Sequence, residues 1–158
     1  MLGSELADAT RVLVVSERPN RLRSLVDSLR NSSNQTVKAY ALAEPLRLAH
    51  AVSQINPDVI VTDAWYDRSR ADFWRYLKPI KDARPDTKII ILENEGGVPG
   101  RKPGGQSARV LRLDDKTIIP RQKIRDGGVV AEEVARYGQE ASQRVSGRMR
   151  RAYALVAG

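Results

Sequence analysis

Charged and hydroxyl side chains follow the apolar runs of this sequence directly. Asp63 comes after DVIVT, and Glu93 comes after KIIIL. If these runs are parallel strands, their carboxyl ends meet at one edge of a sheet, where ligands and reactive groups collect. The residues placed there by the sequence are Ser16, Glu17, Asp63, Glu93 and Lys116. We therefore predict that these side chains line a common pocket.

The composition restricts the chemistry of such a pocket. The chain has no cysteine, and His50 is its only histidine. Thiolate catalysis, disulfides and zinc sites built on thiolates are excluded, and a metal site would need oxygen ligands with at most one imidazole. Neither G-x-x-x-x-G-K-[ST] nor a G-x-G-x-x-G after the first strand is present. The sequence thus gives no support for nucleotide binding.

The elements that position these residues alternate between strand and helix. RVLVV, DVIVT and KIIIL are typical of strands buried on both faces, and TVKAYA of a less buried strand. A first helix carries an apolar stripe formed by Leu22, Leu25, Val26 and Leu29. Pro45 suits the start of a second helix, and Ser69 with Asp72 suits the start of a third. This order predicts an open, doubly wound parallel α/β sheet.

The pattern changes after Glu93. Residues 94–108 are rich in glycine and proline and predict a flexible loop in place of a fourth helix. Residues 109–113 could form a fifth strand, and the apolar piece IIP follows at 118–120. From Gly128 a long amphipathic C-terminal helix is predicted. With 158 residues, the chain fits a flexible N-terminus at 1–10, one α/β domain at 11–116 and a basic segment at 117–158.

Positive charge is concentrated in the last third of the chain. Residues 1–100 hold 14 Lys or Arg against 13 Asp or Glu, whereas residues 101–158 hold 13 against 6. This asymmetry favours an anionic partner such as nucleic acid, with solubility alone as the alternative. The candidate nucleic-acid contacts are Arg144, Arg148, Arg150 and Arg151. The sequence shows neither a signal peptide nor a membrane span, so we expect a cytoplasmic protein.

Three peptides resemble the receiver domains of bacterial response regulators: RVLVVSERPNRLRSLVDSLR, INPDVIVTDAW and RPDTKIIILEN. The resemblance covers roughly residues 11–116 and implies a flavodoxin-like fold with Asp63 as the phospho-acceptor. In that family an acidic pair after the first strand binds magnesium together with the acceptor aspartate. A serine or threonine after the fourth strand and a lysine after the fifth hold the phosphate.

This sequence departs from the family pattern at most of those positions. Ser16-Glu17 replaces the acidic pair, and Glu93 stands where a hydroxyl would hold the phosphate. Asp67 and Ala71 replace the usual proline and glycine, and Lys116 is only a stand-in for the conserved lysine. We therefore expect a degenerate receiver with no cofactor and no enzymatic activity. Magnesium binding by Glu17 and Asp63, with Asp63 phosphorylated, is the alternative.

Aromatic residues follow Asp63 closely. Trp65, Tyr66 and Trp74 are candidates for a protein interface or, alternatively, for a cover over the pocket. We therefore expect a regulatory protein that acts through a protein partner or a second copy of itself. The C-terminal helix could pack on the sheet, pair with another copy or contact nucleic acid, and a nucleic-acid-binding regulator is the alternative function.

Overall fold

A computed structural model describes residues 9–31, 37–63, 70–93, 110–112, 116–120, 124 and 128–137, apart from the side chains of residues 70–74 and 111. Within these ranges the strands are β1 (Thr10–Val15), β2 (Val37–Leu42), β3 (Val59–Asp63), β4 (Lys88–Leu92), β5 (Leu111–Arg112) and β6 (Lys116–Ile119). They form one sheet with the strand order β2-β1-β3-β4-β6-β5. The helices are α1 (Pro19–Arg30), α2 (Leu48–Ile55), α3 (Arg70–Ala83) and α4, which is described over 128–137. None of the helices described is both long and apolar enough to cross a membrane.

Alternating residues of the buried strands supply the core on both faces of the sheet. Val12 and Val14 of β1 pack with apolar residues of α1 and α4, whereas Leu13 and Val15 pack with those of α2 and α3. Successive side chains of a strand point to opposite faces, so an uninterrupted apolar run is needed where helices cover both. The prediction of a doubly wound parallel α/β sheet is confirmed.

The described part of α4 closes one face of this core. Val130 and Val134 are fully buried in the cluster that contains the α1 stripe. Residues 138–158, the remainder of the predicted long helix, lie outside the described residues, as do residues 1–8 of the predicted flexible N-terminus and the whole predicted flexible loop at 94–108. Ala9 and Thr10, the last two residues of the predicted flexible N-terminus, are buried, and Thr10 begins β1. The predicted domain boundary at residue 116 falls inside the sheet, because β6 begins there and α4 belongs to the same core.

The predicted fifth strand was placed incorrectly. The parallel neighbour of β4 is β6, and the short strand β5 pairs antiparallel with β6 at the edge. Thr117, Ile118 and Ile119 are buried, whereas Arg112 is exposed. Both segments are short, and local pattern alone does not show which one lies inside the sheet. Long-range pairing decides this, because only β6 bonds to β4 on one side and β5 on the other.

A partly buried ion pair joins the edge strand β5 to α4. The Arg112 guanidinium donates through Nε to Oε1 of Glu133 at 3.1 Å and through Nη2 to the same oxygen at 2.5 Å. The Glu133 side chain is 3% exposed and the Arg112 side chain 46% exposed. The carboxylate is therefore almost removed from water, and the arginine that neutralises it remains half hydrated.

Candidate functional site

The chain brings Ser16 and Asp63 together at the carboxyl edge of the sheet. Asp63 is the last residue of β3, and Ser16 follows β1, which is the neighbouring parallel strand. The Ser16 backbone N–H donates to the carbonyl oxygen of Leu42 at 3.1 Å, so the hydrogen bonding with β2 extends past the end of β1. The register of the strands and a hydrogen bond between the side chains bring these two of the predicted pocket residues together.

The Ser16 hydroxyl connects the start of α1 to Asp63. It donates to Oδ2 of Asp63 at 2.9 Å and accepts from the backbone N–H of Arg18 at 3.1 Å. Pro19 then occupies the first turn of α1, where a missing N–H costs nothing. These bonds fix the turn between β1 and α1 against the end of β3.

An arginine that the sequence analysis did not select completes this cluster. Nη1 of Arg21, in the first turn of α1, lies 3.4 Å from Oδ2 of Asp63. The Arg21 side chain is 22% exposed and the Asp63 side chain 9% exposed. The sequence did contain a signal for it. The first turn of α1 has no acidic residue, although the positive end of a helix favours acidic residues over basic ones.

The two oxygens of the Asp63 carboxylate have different surroundings. Oδ2 accepts from Ser16 and Arg21, whereas Oδ1 is buried and receives no hydrogen bond from the described residues. Burial raises the pKa of Asp63, and the Ser16 hydrogen bond and the charges of Arg21 and Arg18 limit that rise. The site thus holds one carboxyl group that burial pushes towards its neutral form.

The other predicted pocket residues are not all at this edge. Glu93 is half-buried after β4, and its backbone N–H donates to the carbonyl oxygen of Ile119 at 2.9 Å, so it does lie at the carboxyl edge. Glu17 is exposed beside Ser16. Neither residue has a described contact with Asp63 in this cluster.

The placement of Lys116 in the pocket was wrong. Lys116 is the first residue of β6 and pairs with Ile89, whereas Asp63 pairs with Leu92 at the opposite end of β4. This separates Lys116 from the Asp63 level by about 10 Å along the strands, at ~3.3 Å per residue. The error followed from the incorrect fifth strand, which put Lys116 after a strand rather than at the start of one.

The fifth parallel strand in chain order is β6, which ends at Ile119 and is followed by Pro120. The receiver pattern described above has a lysine at the end of the fifth strand, whereas this strand ends with an isoleucine. Ile119 is fully buried in the core. The last residue of the fifth parallel strand is therefore an apolar core residue and not a cation.

The structure does not describe the side chains of the remaining predicted site residues. Trp65, Tyr66 and Asp67 lie outside the described residues, and so does the basic group Arg144, Arg148, Arg150 and Arg151. Trp74 and Ala71 belong to α3, but their side chains are outside the description. The interface and nucleic-acid assignments therefore stay predictions.

Solved structures of receiver domains share this fold. A two component transcriptional regulator AraC from Clostridium phytofermentans matches with a TM-score of 0.62 at 15% identity, over 88% of this chain and 99% of that one. The apo receiver domain of nitrogen regulatory protein C matches with a TM-score of 0.62 at 18% identity, over 84% and 96%. The response regulator domain of Thermotoga maritima CheB gives 0.56 at 18%, also over 84% and 96%.

No protein-family model matches the sequence, and no curated protein matches it as a relative. Because the sequence identities are 15–18%, the structural similarity establishes the fold alone. Function has to be argued from the residues of the site. The predicted receiver-type, flavodoxin-like fold is confirmed.

The described side chains do not fit the magnesium ion that receiver domains bind. Magnesium prefers oxygen ligands, and its sites commonly use one or two carboxylates. Here Asp63 is the buried carboxylate, Ser16 directs its hydroxyl proton at Oδ2, and the Arg21 cation lies beside the same oxygen. Among the described residues, no group of three or more His, Cys, Asp and Glu side chains could hold a metal.

Proposed function

We propose that this chain is a non-catalytic regulatory domain of receiver fold that acts in the cytoplasm by binding a protein partner, independently of phosphorylation. The observation that carries the proposal is the state of Asp63. Its side chain is 9% exposed, and Ser16 and Arg21 both bond to Oδ2. An acceptor aspartate must instead present its carboxylate to an incoming phosphoryl group.

The surroundings of Asp63 also lack the groups that make phosphoryl transfer fast. Such transfer depends on cations that neutralise the charge developing on the phosphoryl oxygens. Arg21 is positive, but its charge is already paired with Asp63. Ile119 stands where a lysine would bind the phosphate, and Glu93 adds negative charge at the same edge. A phosphoryl group at Asp63 would therefore have no dedicated ligand among these residues.

The test is phosphorylation of the full chain by a small donor. The protein is incubated with acetyl phosphate and magnesium chloride, and its intact mass is measured by electrospray ionisation. We expect no phosphoryl adduct, under conditions in which a conventional receiver domain is modified. A phosphoryl adduct in the wild-type chain that is missing from Asp63→Asn would overturn the proposal.

Nucleic-acid binding is the second candidate function. It is favoured by the positive charge of residues 101–158, which contain 13 basic and 6 acidic residues. Contacts of arginines with phosphates release counterions, so affinity should fall steeply with salt. Fluorescence anisotropy with a labelled DNA duplex at several salt concentrations measures this dependence. The matched variant replaces Arg144, Arg148, Arg150 and Arg151 by glutamine. Unchanged affinity and salt dependence in that variant would exclude this surface.

The charge variant is preferable to a large truncation. Removing residues 121–158 would delete α4, whose Val130 and Val134 are fully buried in the core. Loss of binding in that truncation would therefore report loss of the fold. The glutamine variant changes charge and leaves α4 intact.

A further inference from the structure

A basic side chain lies beside the Asp63 carboxylate, which is the group that a receiver domain uses to bind a metal ion. The Arg21 guanidinium lies 3.4 Å from Oδ2 of Asp63, at the carboxyl edge of the sheet. Magnesium would need the same carboxylate, and two cations on one carboxylate repel each other. Arg21 and a divalent cation therefore compete for Asp63.

The position of Arg21 is fixed by the start of α1. Ser16 accepts from the backbone N–H of Arg18, and Pro19 begins the helix. Leu22, the next residue after Arg21, is buried in the core, and its backbone N–H donates to the Arg18 carbonyl oxygen at 2.9 Å. These contacts hold the first turn of α1 in place. The guanidinium is thus tethered next to Asp63 and does not have to be recruited from solution.

Ser16 and Arg21 act on the same oxygen. The serine hydroxyl donates to Oδ2 at 2.9 Å, so it supplies hydrogen-bonding capacity where an aspartate at that position would supply a ligand for a metal. When Asp63 is ionised, the net charge of the pair Asp63 and Arg21 is zero. An added divalent cation would have no excess negative charge from this pair to neutralise.

We propose that Arg21 is a built-in replacement for the divalent cation of this pocket, and that it excludes magnesium by occupying the Asp63 carboxylate. This inference deepens the proposed function and rests on it, since a pocket closed by Arg21 has no need of a metal-dependent modification. The residue pair Ser16 and Arg21 then determines whether the fold can bind a metal.

The experiment restores the missing carboxylate with and without Arg21. Isothermal titration calorimetry measures magnesium chloride binding to the full chain as wild type, Ser16→Asp, Arg21→Gln and the double variant Ser16→Asp/Arg21→Gln. We expect no binding by the wild type at millimolar metal and measurable binding by the double variant. The double variant should bind at least about tenfold more tightly than Ser16→Asp alone, because Arg21 no longer repels the ion.

Two controls separate the charge of Arg21 from general effects. Arg23→Gln removes an exposed arginine of the same helix. The double variant Ser16→Asp/Arg23→Gln should bind magnesium no more tightly than Ser16→Asp alone. Arg21→Lys with Ser16→Asp retains a positive charge and should bind as weakly as Ser16→Asp. Circular dichroism establishes that each variant is folded. The lysine variant also shows whether a change of side chain at position 21 disturbs the fold when the positive charge is kept.

The inference is overturned if the wild type binds magnesium as tightly as the double variant. It is also overturned if Ser16→Asp with and without Arg21 show equal affinity, or if the folded double variant binds no metal. These outcomes differ from a failure of the proposed function, which would be a phosphoryl adduct on wild-type Asp63. Suppose that acetyl phosphate does not phosphorylate the wild type, but that Ser16→Asp gains no magnesium affinity on loss of Arg21. That result would refute this inference and leave the proposed function standing.

Discussion

Replacing Arg112 by methionine should destabilise this protein considerably more than replacing Glu133 by glutamine. The two residues form one ion pair, but their exposure is very unequal. The Glu133 side chain is 3% exposed, whereas the Arg112 side chain is 46% exposed. Arg112→Met therefore leaves a buried carboxylate without its cation, while Glu133→Gln leaves a cation that water can reach.

The size of each loss in the free energy of unfolding depends on which charge remains after the substitution. Removing one partner of a buried pair costs about 3–5 kcal/mol because the remaining charge is desolvated. Water around the half-exposed arginine site moderates this effect, so we expect about 3 kcal/mol for Arg112→Met, at the lower end of the range for a broken buried pair. Glutamine keeps an acceptor oxygen for the guanidinium, so Glu133→Gln should cost about 1 kcal/mol, the usual contribution of a hydrogen bond.

Urea unfolding followed by circular dichroism at neutral pH measures both differences. For a chain of this size, about 3 kcal/mol corresponds to a fall in the melting temperature of roughly 6–12 °C. Glu132 is the matched control, because it is exposed next to Glu133 in α4. Glu132→Gln should change the free energy of unfolding by less than about 0.5 kcal/mol, as for an ordinary surface position.

The order of the two losses is the decisive result. Equal losses for Arg112→Met and Glu133→Gln, or a larger loss for Glu133→Gln, would refute the argument from unequal burial. A double variant, Arg112→Met with Glu133→Leu, provides a second comparison. It removes both charges together and should recover most of the loss, because no buried charge is left unpaired.

Three further predictions concern the pocket, the core and a helix end. The pKa of Asp63 is raised in the folded state, so ionisation of this group opposes folding; the stability of the wild type relative to Asp63→Asn should fall as pH rises from the usual 3.8 through the raised pKa. Urea unfolding of both proteins across acidic and neutral pH checks this. The prediction is contradicted if the free energy of unfolding of the wild type, minus that of Asp63→Asn, stays constant or increases with pH. Leu13 is fully buried and Leu46 is 56% exposed, so Leu13→Ala should cost about 2–5 kcal/mol and Leu46→Ala less than ~0.5 kcal/mol in the same assay. Asn56 ends α2 with a φ of 56°, so Asn56→Ala should cost about 1 kcal/mol whereas Asn56→Gly should be close to neutral, and equal thermal shifts for the two would count against a backbone cause.

The parallel part of the sheet could be predicted because each strand has a strong local signal. RVLVV, DVIVT and KIIIL are continuous apolar runs, and the structure buries residues of all three on both faces of the sheet. The apolar stripe of the first helix was equally clear, since a period of about 3.6 residues places its leucines on one face. These signals lie within a few residues of one another, so they need no knowledge of the rest of the fold.

The edge of the sheet could not be predicted in the same way. Residues 109–113 alternate like a strand and were predicted as a possible fifth strand next to β4, but β6 is the strand that pairs with β4. A segment with two paired residues, such as β5, carries too little pattern to reveal its direction or its neighbours. The misplaced strand then put Lys116 at the wrong end of the sheet.

The sequence by itself determined the receiver-type order of strands and helices and the place of Asp63 at the end of β3, next to Ser16. The tertiary structure alone decided that Arg21 pairs with Asp63, that Ile119 ends the fifth parallel strand and that Glu133 is buried against Arg112. The physical reason is the range of the interactions. Periodicity and turn chemistry act between near neighbours, whereas the charge state of a pocket depends on residues such as Arg21 and Asp63, which are 42 positions apart in the chain.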